Sequence, residues 1–146
     1  MRFVFEPVNV AWWWAQAAST WFLVGLIWVV QIVIYPQMAR MVTEGFPAWH
    51  RTYTQRIAWV VAPMMVLETA LAGWWVLSSP NSGFAWAGAS LVMIIWGSTF
   101  ALQMPMHRRL AGGWDEPAIG RLVATNWVRT VAWSLRGVLF LGLIAT

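Results

Sequence analysis

The chain has 146 residues, of which 60% are hydrophobic and only 10% are charged, whereas about a quarter of the residues in a soluble domain are charged. Cysteine and lysine are absent, which excludes disulfides, thiolate chemistry and Schiff bases on lysine. The net charge of +4 comes from arginines that lie mostly near the ends of apolar segments. We therefore expect a lipid bilayer, and no nucleic acid, as the partner.

Four apolar segments follow one another, each near the roughly 20 residues that a helix needs to cross a bilayer. The predicted spans cover residues 11–35, 56–77, 84–105 and 122–145. The first ends before Pro36, because a residue that precedes proline is disfavoured in a helix. The second contains Glu68, and the fourth contains Arg129 and Arg136. The sequence predicts an all-α fold, in which residues 1–146 form a single transmembrane four-helix bundle.

The distribution of arginine predicts how the bundle is oriented. Cytoplasmic loops collect Lys and Arg, and here six arginines lie in or beside the loops that follow spans one and three, against one on the opposite side. Those six are Arg40, Arg51, Arg56, Arg108, Arg109 and Arg121. We predict that both loops are cytoplasmic and both termini outside, in the inner membrane of a bacterium.

Two charges lie at matching depths in spans two and four. Glu68 is 12 residues beyond Arg56, and Arg136 is 14 residues beyond Leu122. At about 1.5 Å per residue these depths are roughly 18 and 21 Å. Because charges inside a membrane generally pair, we predict a structural ion pair between Glu68 and Arg136, with a catalytic role for Glu68 as the alternative.

Polar residues also recur along one face of span four. Asn126, Arg129, Trp133 and Arg136 follow one another at spacings of three, four and three, which places them on the same side of a helix. The rest of the span is mainly Val, Leu and Ala. We therefore expect this polar and aromatic face to point into the bundle.

A second polar set lies near the cytoplasmic ends of the spans. It contains Gln31, Tyr35, His50, Tyr53, Arg56, Gln103 and His107. These side chains predict a pocket open to the cytoplasmic side, with Arg129 as its floor about 10 Å deep. Tyr53, Arg56, Asn126 and Arg129 are the candidate ligand-binding residues.

The two histidines allow several kinds of chemistry, and the sequence leaves them open. His50 and His107 could ligate a metal such as haem iron, or act as acid or base on a quinone or phenol. They could equally be ordinary interfacial residues. The candidate cofactors are haem b or a quinone, and the candidate catalytic residues are His50, His107 and Glu68.

The fourteen tryptophans also have two interpretations. Rings near span ends, such as Trp12, Trp49 and Trp114, are typical of the aromatic belts at membrane interfaces. Deeper rings, such as Trp96 and Trp133, could instead line a cavity for a flat cofactor or pigment. The first interpretation, packing and belts, is the one we favour.

Three short motifs resemble a known family. They are Gly25 with Tyr35–Pro36, PMHRRL at residues 105–110, and LVATNWVRT at residues 122–130. Together they resemble the small four-span proteins of the anthrone-oxygenase-like type. The resemblance implies a four-helix membrane fold and a cofactor-independent oxygenase of polyphenolic substrates. The matching positions are His107, Arg109, Asn126 and Arg129, which adds Arg109 to the candidate ligand-binding residues.

A weaker resemblance is to the HemJ-type protoporphyrinogen oxidases, small four-span proteins that bind haem. The shared feature is a first span that contains glycine and ends in an aromatic–proline step. That family has a histidine early in span one and a lysine, whereas this chain has Gln16 and no lysine.

The sequence thus supports two hypotheses for function. In the first, the protein binds a small molecule or cofactor in a polar pocket and is redox-active. In the second, it is a non-catalytic subunit of a larger pigment or electron-transfer complex, or a homo-oligomer, with its tryptophans packed against partners.

Overall fold

A computed structural model describes residues 7–41 and 44–144, which form four long helices. Helix α1 is α-helical over Pro7–Val29 and Tyr35–Met38, with a π-helical turn at Val30–Ile34 between them. Helix α2 is Phe46–Ser78. Helix α3 is α-helical over Gly83–Ser98 and Met104–Leu110, with a π-helical turn at Thr99–Gln103, and helix α4 is Glu116–Ile144.

The all-helical prediction is confirmed over the described residues. Three stretches, Val10–Met38, Phe46–Ser78 and Gly83–Leu110, are long and apolar enough to cross a membrane. Helix α4, taken over its described residues, is not among them, and it carries Arg129 and Arg136 in its central part.

The π-helical turns explain why two helices continue past prolines. Span one was expected to end before Pro36, but α1 continues to Met38. Pro36 follows the π-helical turn of α1 by two residues, and Pro105 follows that of α3 by two residues. Proline lacks the N–H that an α-helix needs at this point, and a π-helical turn shifts the pairing locally. The prediction that Pro36 ends the helix is therefore wrong.

The four helices form a ring in chain order around one core. Helix α1 packs on α2, α2 on α3, α3 on α4, and α4 on α1. Within the described residues, the diagonal pairs have no Cα atoms within 8 Å of each other. The core includes Leu23, Ile27, Ile95, Leu122 and Trp133. Side chains that reach inward from diagonal helices therefore meet in the centre.

Aromatic side chains fill one end of this ring. Trp75 packs edge-on against Trp12 and Trp13, with ring centroids 5.8 and 5.2 Å apart, and lies 5.8 Å from Phe140. Trp75 and Phe140 are buried. Trp75 is thus a core residue, while Trp14, Trp59 and Trp74 point outward.

Candidate ligand site inside the bundle

Arg136 lies at the centre of the ring and joins α4 to the other three helices. Its side chain is 0% exposed. It donates to Glu68 Oε1 on α2 at 2.9 Å, to the Gly88 carbonyl on α3 at 2.6 Å and to Gln16 Oε1 on α1 at 2.8 Å. The expected contact with Glu68 is present, and it crosses the diagonal of the bundle.

The Glu68 carboxylate is equally well satisfied. The Thr20 hydroxyl donates to its Oε1 at 2.7 Å, and the Trp133 indole donates to its Oε2 at 3.0 Å. Both charges are thus paired and hydrogen-bonded, the condition under which a buried ion pair is tolerated. Glu68 does not line the cavity described below, whereas Trp133, which donates to Glu68, does.

Gly88 makes the close approach of Arg136 possible. A Cβ added at Gly88 would lie 2.9 Å from Arg136 Nη1 and 3.2 Å from the Trp75 ring. Because overpacking of this kind costs about 1–3 kcal/mol, we expect Gly88→Ala to lower the unfolding free energy in detergent. The matched control is Gly97→Ala on the same helix, where a Cβ meets nothing within 4 Å. Equal stability of the two variants would contradict the close approach of Arg136 to Gly88.

A cavity of about 430 Å³ lies beside this network, on the side of the α1–α2 and α3–α4 loops. Its walls are mostly apolar and come from all four helices, including Leu23, Ile27, Met65, Trp96, Phe100 and Trp133. Its polar groups include Tyr35, Tyr53, Gln103, His107 and Arg129. The volume falls within the roughly 300–1,000 Å³ of small-molecule sites.

Arg129 borders this cavity and differs from Arg136 in its partners. It is 8% exposed and donates from Nε to Asn126 Oδ1 at 2.9 Å and from Nη2 to the Tyr35 hydroxyl at 3.3 Å. Among the described residues, no carboxylate lies within 4.0 Å of it, and its Nη1 has no hydrogen-bond partner. Arg129 is thus a buried cation with neutral partners only.

The orientation of Arg129 is fixed by a chain of amides. Asn126 donates to Gln31 Oε1 at 2.6 Å, and Gln31 donates to the Val123 carbonyl at 3.2 Å. Gln31 belongs to the π-helical turn of α1. Asn126 itself does not border the cavity and acts as a positioning residue for Arg129.

A hydrogen-bonded chain leads from Arg129 towards the loop end of the bundle. The Tyr35 hydroxyl lies 3.3 Å from His107 Nε2, and His107 Nδ1 lies 3.1 Å from His50 Nε2. His50 is buried, and its ring stacks on Phe46 with centroids 5.6 Å apart. Within the described part of the chain, the remaining His50 nitrogen, Nδ1, has no partner. A hydroxyl and two imidazoles in consecutive hydrogen-bond contact are the kind of groups that serve as proton shuttles.

The geometry of the histidines bears on the metal and haem hypotheses. The His50 and His107 rings are in direct hydrogen-bond contact, with centroids 5.3 Å apart. A porphyrin plane held by both histidines would have to lie between these rings, and this contact leaves no space for it. The described residues contain no cluster of three or more His, Cys, Asp or Glu side chains suited to a metal ion. These residues therefore do not fit a bis-histidine haem.

The remaining predicted residues are divided between the cavity and the surface. Tyr53 borders the cavity and stacks on Trp49 with centroids 5.3 Å apart. Arg56 is exposed and lines a neighbouring groove that shares Tyr53 and Ile57 with the cavity, but Arg56 itself does not border the cavity. Arg109 is also exposed and forms an ion pair with Asp115 in the loop before α4. The structure therefore does not bring these two arginines together with Tyr53 and Arg129 at the cavity.

Asp115 explains why the Arg109 side chain is held at the start of α4. The carboxylate caps helix α4 by accepting from the Ala118 backbone N–H at 2.9 Å. That backbone hydrogen bond, helped by the Arg109 guanidinium, holds the pKa of Asp115 below its usual value. Arg109 and Asp115 thus fix the start of α4 and leave the cavity to other residues.

Sequence reasoning did not assign partners to three residues of the central network. Gln16 and Thr20 are four residues apart in span one, which places them on one helical face. That spacing was the available signal for an inward polar face. The Gly88 carbonyl left no such signal, because it is a backbone group.

Comparisons of this chain with family models, with curated proteins and with solved structures return no match.

Proposed function

We propose that the chain is an integral membrane protein that binds a lipophilic phenol or quinone, with an acidic or electron-rich oxygen, in the cavity between its four helices. The observation that carries this proposal is Arg129, a buried cation that faces the cavity without an anionic partner. Buried charges are stable when they are paired. A ligand oxygen in the cavity supplies the missing partner.

The membrane setting follows from the three apolar helices and from the compensation of the two charges that α4 carries. Helix α4 crosses the bilayer with the others, because Glu68 compensates Arg136 and a ligand compensates Arg129. The arginine-rich loops after α1 and α3 face the cytoplasm. The loop end of the bundle, with His50 and His107, is then its cytoplasmic end.

The class of ligand follows from the walls and from the polar groups. Mostly apolar walls that include Trp96 and Trp133 favour a flat aromatic ring. Arg129 Nη1 supplies a charge-assisted donor for a phenolate or carbonyl oxygen. Gln103 borders the cavity with a buried Oε1 that has no partner among the described residues, and it accepts from a ligand hydroxyl. Donor and acceptor together match a molecule with two ring oxygens.

The hydrogen-bonded chain gives the site a means of handling a proton. When an aromatic hydroxyl binds Arg129 as its anion, the released proton passes through Tyr35 to His107 and His50. Polyphenolic substrates are also the class implied by the resemblance to anthrone-oxygenase-like proteins. The hydrogen-bonded chain and the resemblance both favour a phenol as the ligand.

Two naphthoquinones that differ in one group test this proposal. 2-Hydroxy-1,4-naphthoquinone is anionic at neutral pH, and its 2-methoxy analogue is neutral. A hydrogen bond to a charged group contributes about 1.5–3 kcal/mol, so we expect the hydroxy compound to bind at least about tenfold more tightly. Isothermal titration in detergent and quenching of tryptophan fluorescence in nanodiscs measure both affinities. Failure of both compounds to bind, or equal affinities, would contradict the proposal.

A further inference from the structure

The cavity has a side opening between α2 and α3. On the loop side of this opening, His50 and His107 join the two helices. On the other side, the Trp96 indole donates to the Thr69 hydroxyl at 2.8 Å. Between these contacts, no Cα of α2 lies within 8 Å of any Cα of the π-helical turn Thr99–Gln103. The π-helical turn of α3 thus faces a gap rather than α2.

The residues at the edge of the gap identify it as the mouth of the cavity. Four residues that border the cavity are also exposed on the outside of the bundle, and all four lie on α2 or α3. They are Ala58, Ala62, Phe100 and Met104. Phe100 is 56% exposed and Met104 is 41% exposed. The mouth is therefore apolar and uncharged, and small alanines form its α2 side.

The mouth lies at the loop-side edge of the hydrocarbon. Ala58 and Ala62 are 2 and 6 residues beyond Arg56, the first residue of predicted span two, which is about 3 and 9 Å along the helix at 1.5 Å per residue. The stretch Phe46–Ser78 is one of the three membrane-spanning candidates. A mouth at this depth opens sideways towards lipid chains.

The loop end of the cavity, in contrast, is covered by buried side chains of the described residues. Met38, Phe46 and Leu110 are each 0% exposed and pack there in the core. The contact between His50 and His107 lies across the same end. Water-soluble molecules therefore meet a packed layer on this side, in contrast to the open pocket that the sequence suggested.

We propose that the ligand reaches the cavity from the bilayer through this side opening, and that it is an amphiphile whose alkyl or isoprenoid tail lies in the gap between α2 and α3. The proposal rests on the proposed function, since the ring of the ligand occupies the site at Arg129. The tail then passes between Ala58 and Phe100 into the surrounding lipid. A lipid-soluble hydroxyquinone or alkylphenol has this form.

Two probes with the same ring distinguish binding of the tail from binding of the ring. They are 2-hydroxy-1,4-naphthoquinone and its 3-undecyl derivative, each titrated into the full chain in nanodiscs. The variants are Ala58→Trp and Ala62→Trp at the mouth. The matched control is Ala70→Trp, which is exposed on the same helix and does not border the cavity. Each affinity is divided by that of the wild type with the same probe, which removes the effect of partition into lipid.

An indole at the mouth displaces the tail but leaves the ring site intact. The indole and the tail cannot occupy the gap together, and an overpacking cost of about 1.4 kcal/mol or more lowers affinity for the undecyl probe at least about tenfold. The tailless probe binds the same variants within about threefold of the wild type, which also shows that they fold. Ala70→Trp leaves both probes unaffected.

The other outcomes overturn different parts of the argument. Equal losses for both probes, or no loss for either, would refute the side opening while leaving the ring site in place. If neither probe binds the wild type, the proposed function fails, and the side opening as a ligand path fails with it.

Discussion

Replacement of Arg136 by methionine is expected to destabilise the bundle by about 3–5 kcal/mol, because it leaves the Glu68 carboxylate buried without its cation. Glu68→Met leaves Arg136 in the same condition and has an effect of similar size. The free energy of unfolding is measured by SDS titration in mixed micelles, followed by circular dichroism. Arg121→Met, an exposed change on the same helix, is the matched control and shifts the transition little.

The double variant tests the pairing itself. With both charges removed, no uncompensated ion remains, so Glu68→Met with Arg136→Met is expected to be more stable than either single variant. The double variant regains only part of the wild-type stability, since Gln16, Thr20 and the Gly88 carbonyl also lose their partners. A double variant with the summed loss of the two single variants would show that the charges do not interact across the bundle.

Replacement of Arg129 by glutamine is expected to have the opposite pattern, with a loss of ligand affinity and no loss of stability. Removing one partner of a buried charged pair costs about 2 kcal/mol or more, so 2-hydroxy-1,4-naphthoquinone should bind at least about 30-fold more weakly. Without ligand, the change removes an unpaired buried cation, and the unfolding free energy stays the same or rises. Isothermal titration and the SDS titration measure the two effects on the same samples.

The control for this prediction is Arg56→Gln, because Arg56 is an exposed arginine outside the cavity. It is expected to keep the affinity for the naphthoquinone within about twofold, since solvent screens an exposed charge and leaves it a small contribution. Arg129→Gln with unchanged affinity would contradict the ligand site. If Arg129→Gln destabilises the protein as much as Arg136→Met does, both arginines have a structural role.

The contrast between these two arginines shows how far sequence reasoning reaches. Both lie on the same face of α4. The matching depths of Glu68 and Arg136 in their spans predicted a partner for Arg136, but no partner was predicted for Arg129. The contact is present at 2.9 Å. The sequence did not show whether Arg129 has an anion near it, because that depends on which side chains of three other helices reach it.

The contact between the two histidines was likewise not predictable from the sequence. Their position on one side of the bundle followed from the topology of the spans. Whether their rings touch, or leave space for a porphyrin between them, depends on the rotation of α2 against α3. That rotation is set by side-chain packing within the core and leaves no simple pattern in the sequence.

The sequence by itself determined the features that depend on local composition. Apolar length predicted the helices, and spacings of three and four predicted the inward face of α4, because both follow from the geometry of one helix. Only the tertiary structure decided which charges are compensated, where the cavity lies and on which side it opens. The partners of Arg136 are 48, 68 and 120 residues away along the chain. The pairing of buried groups over such separations is fixed by the packing of all four helices together, and no single segment encodes it.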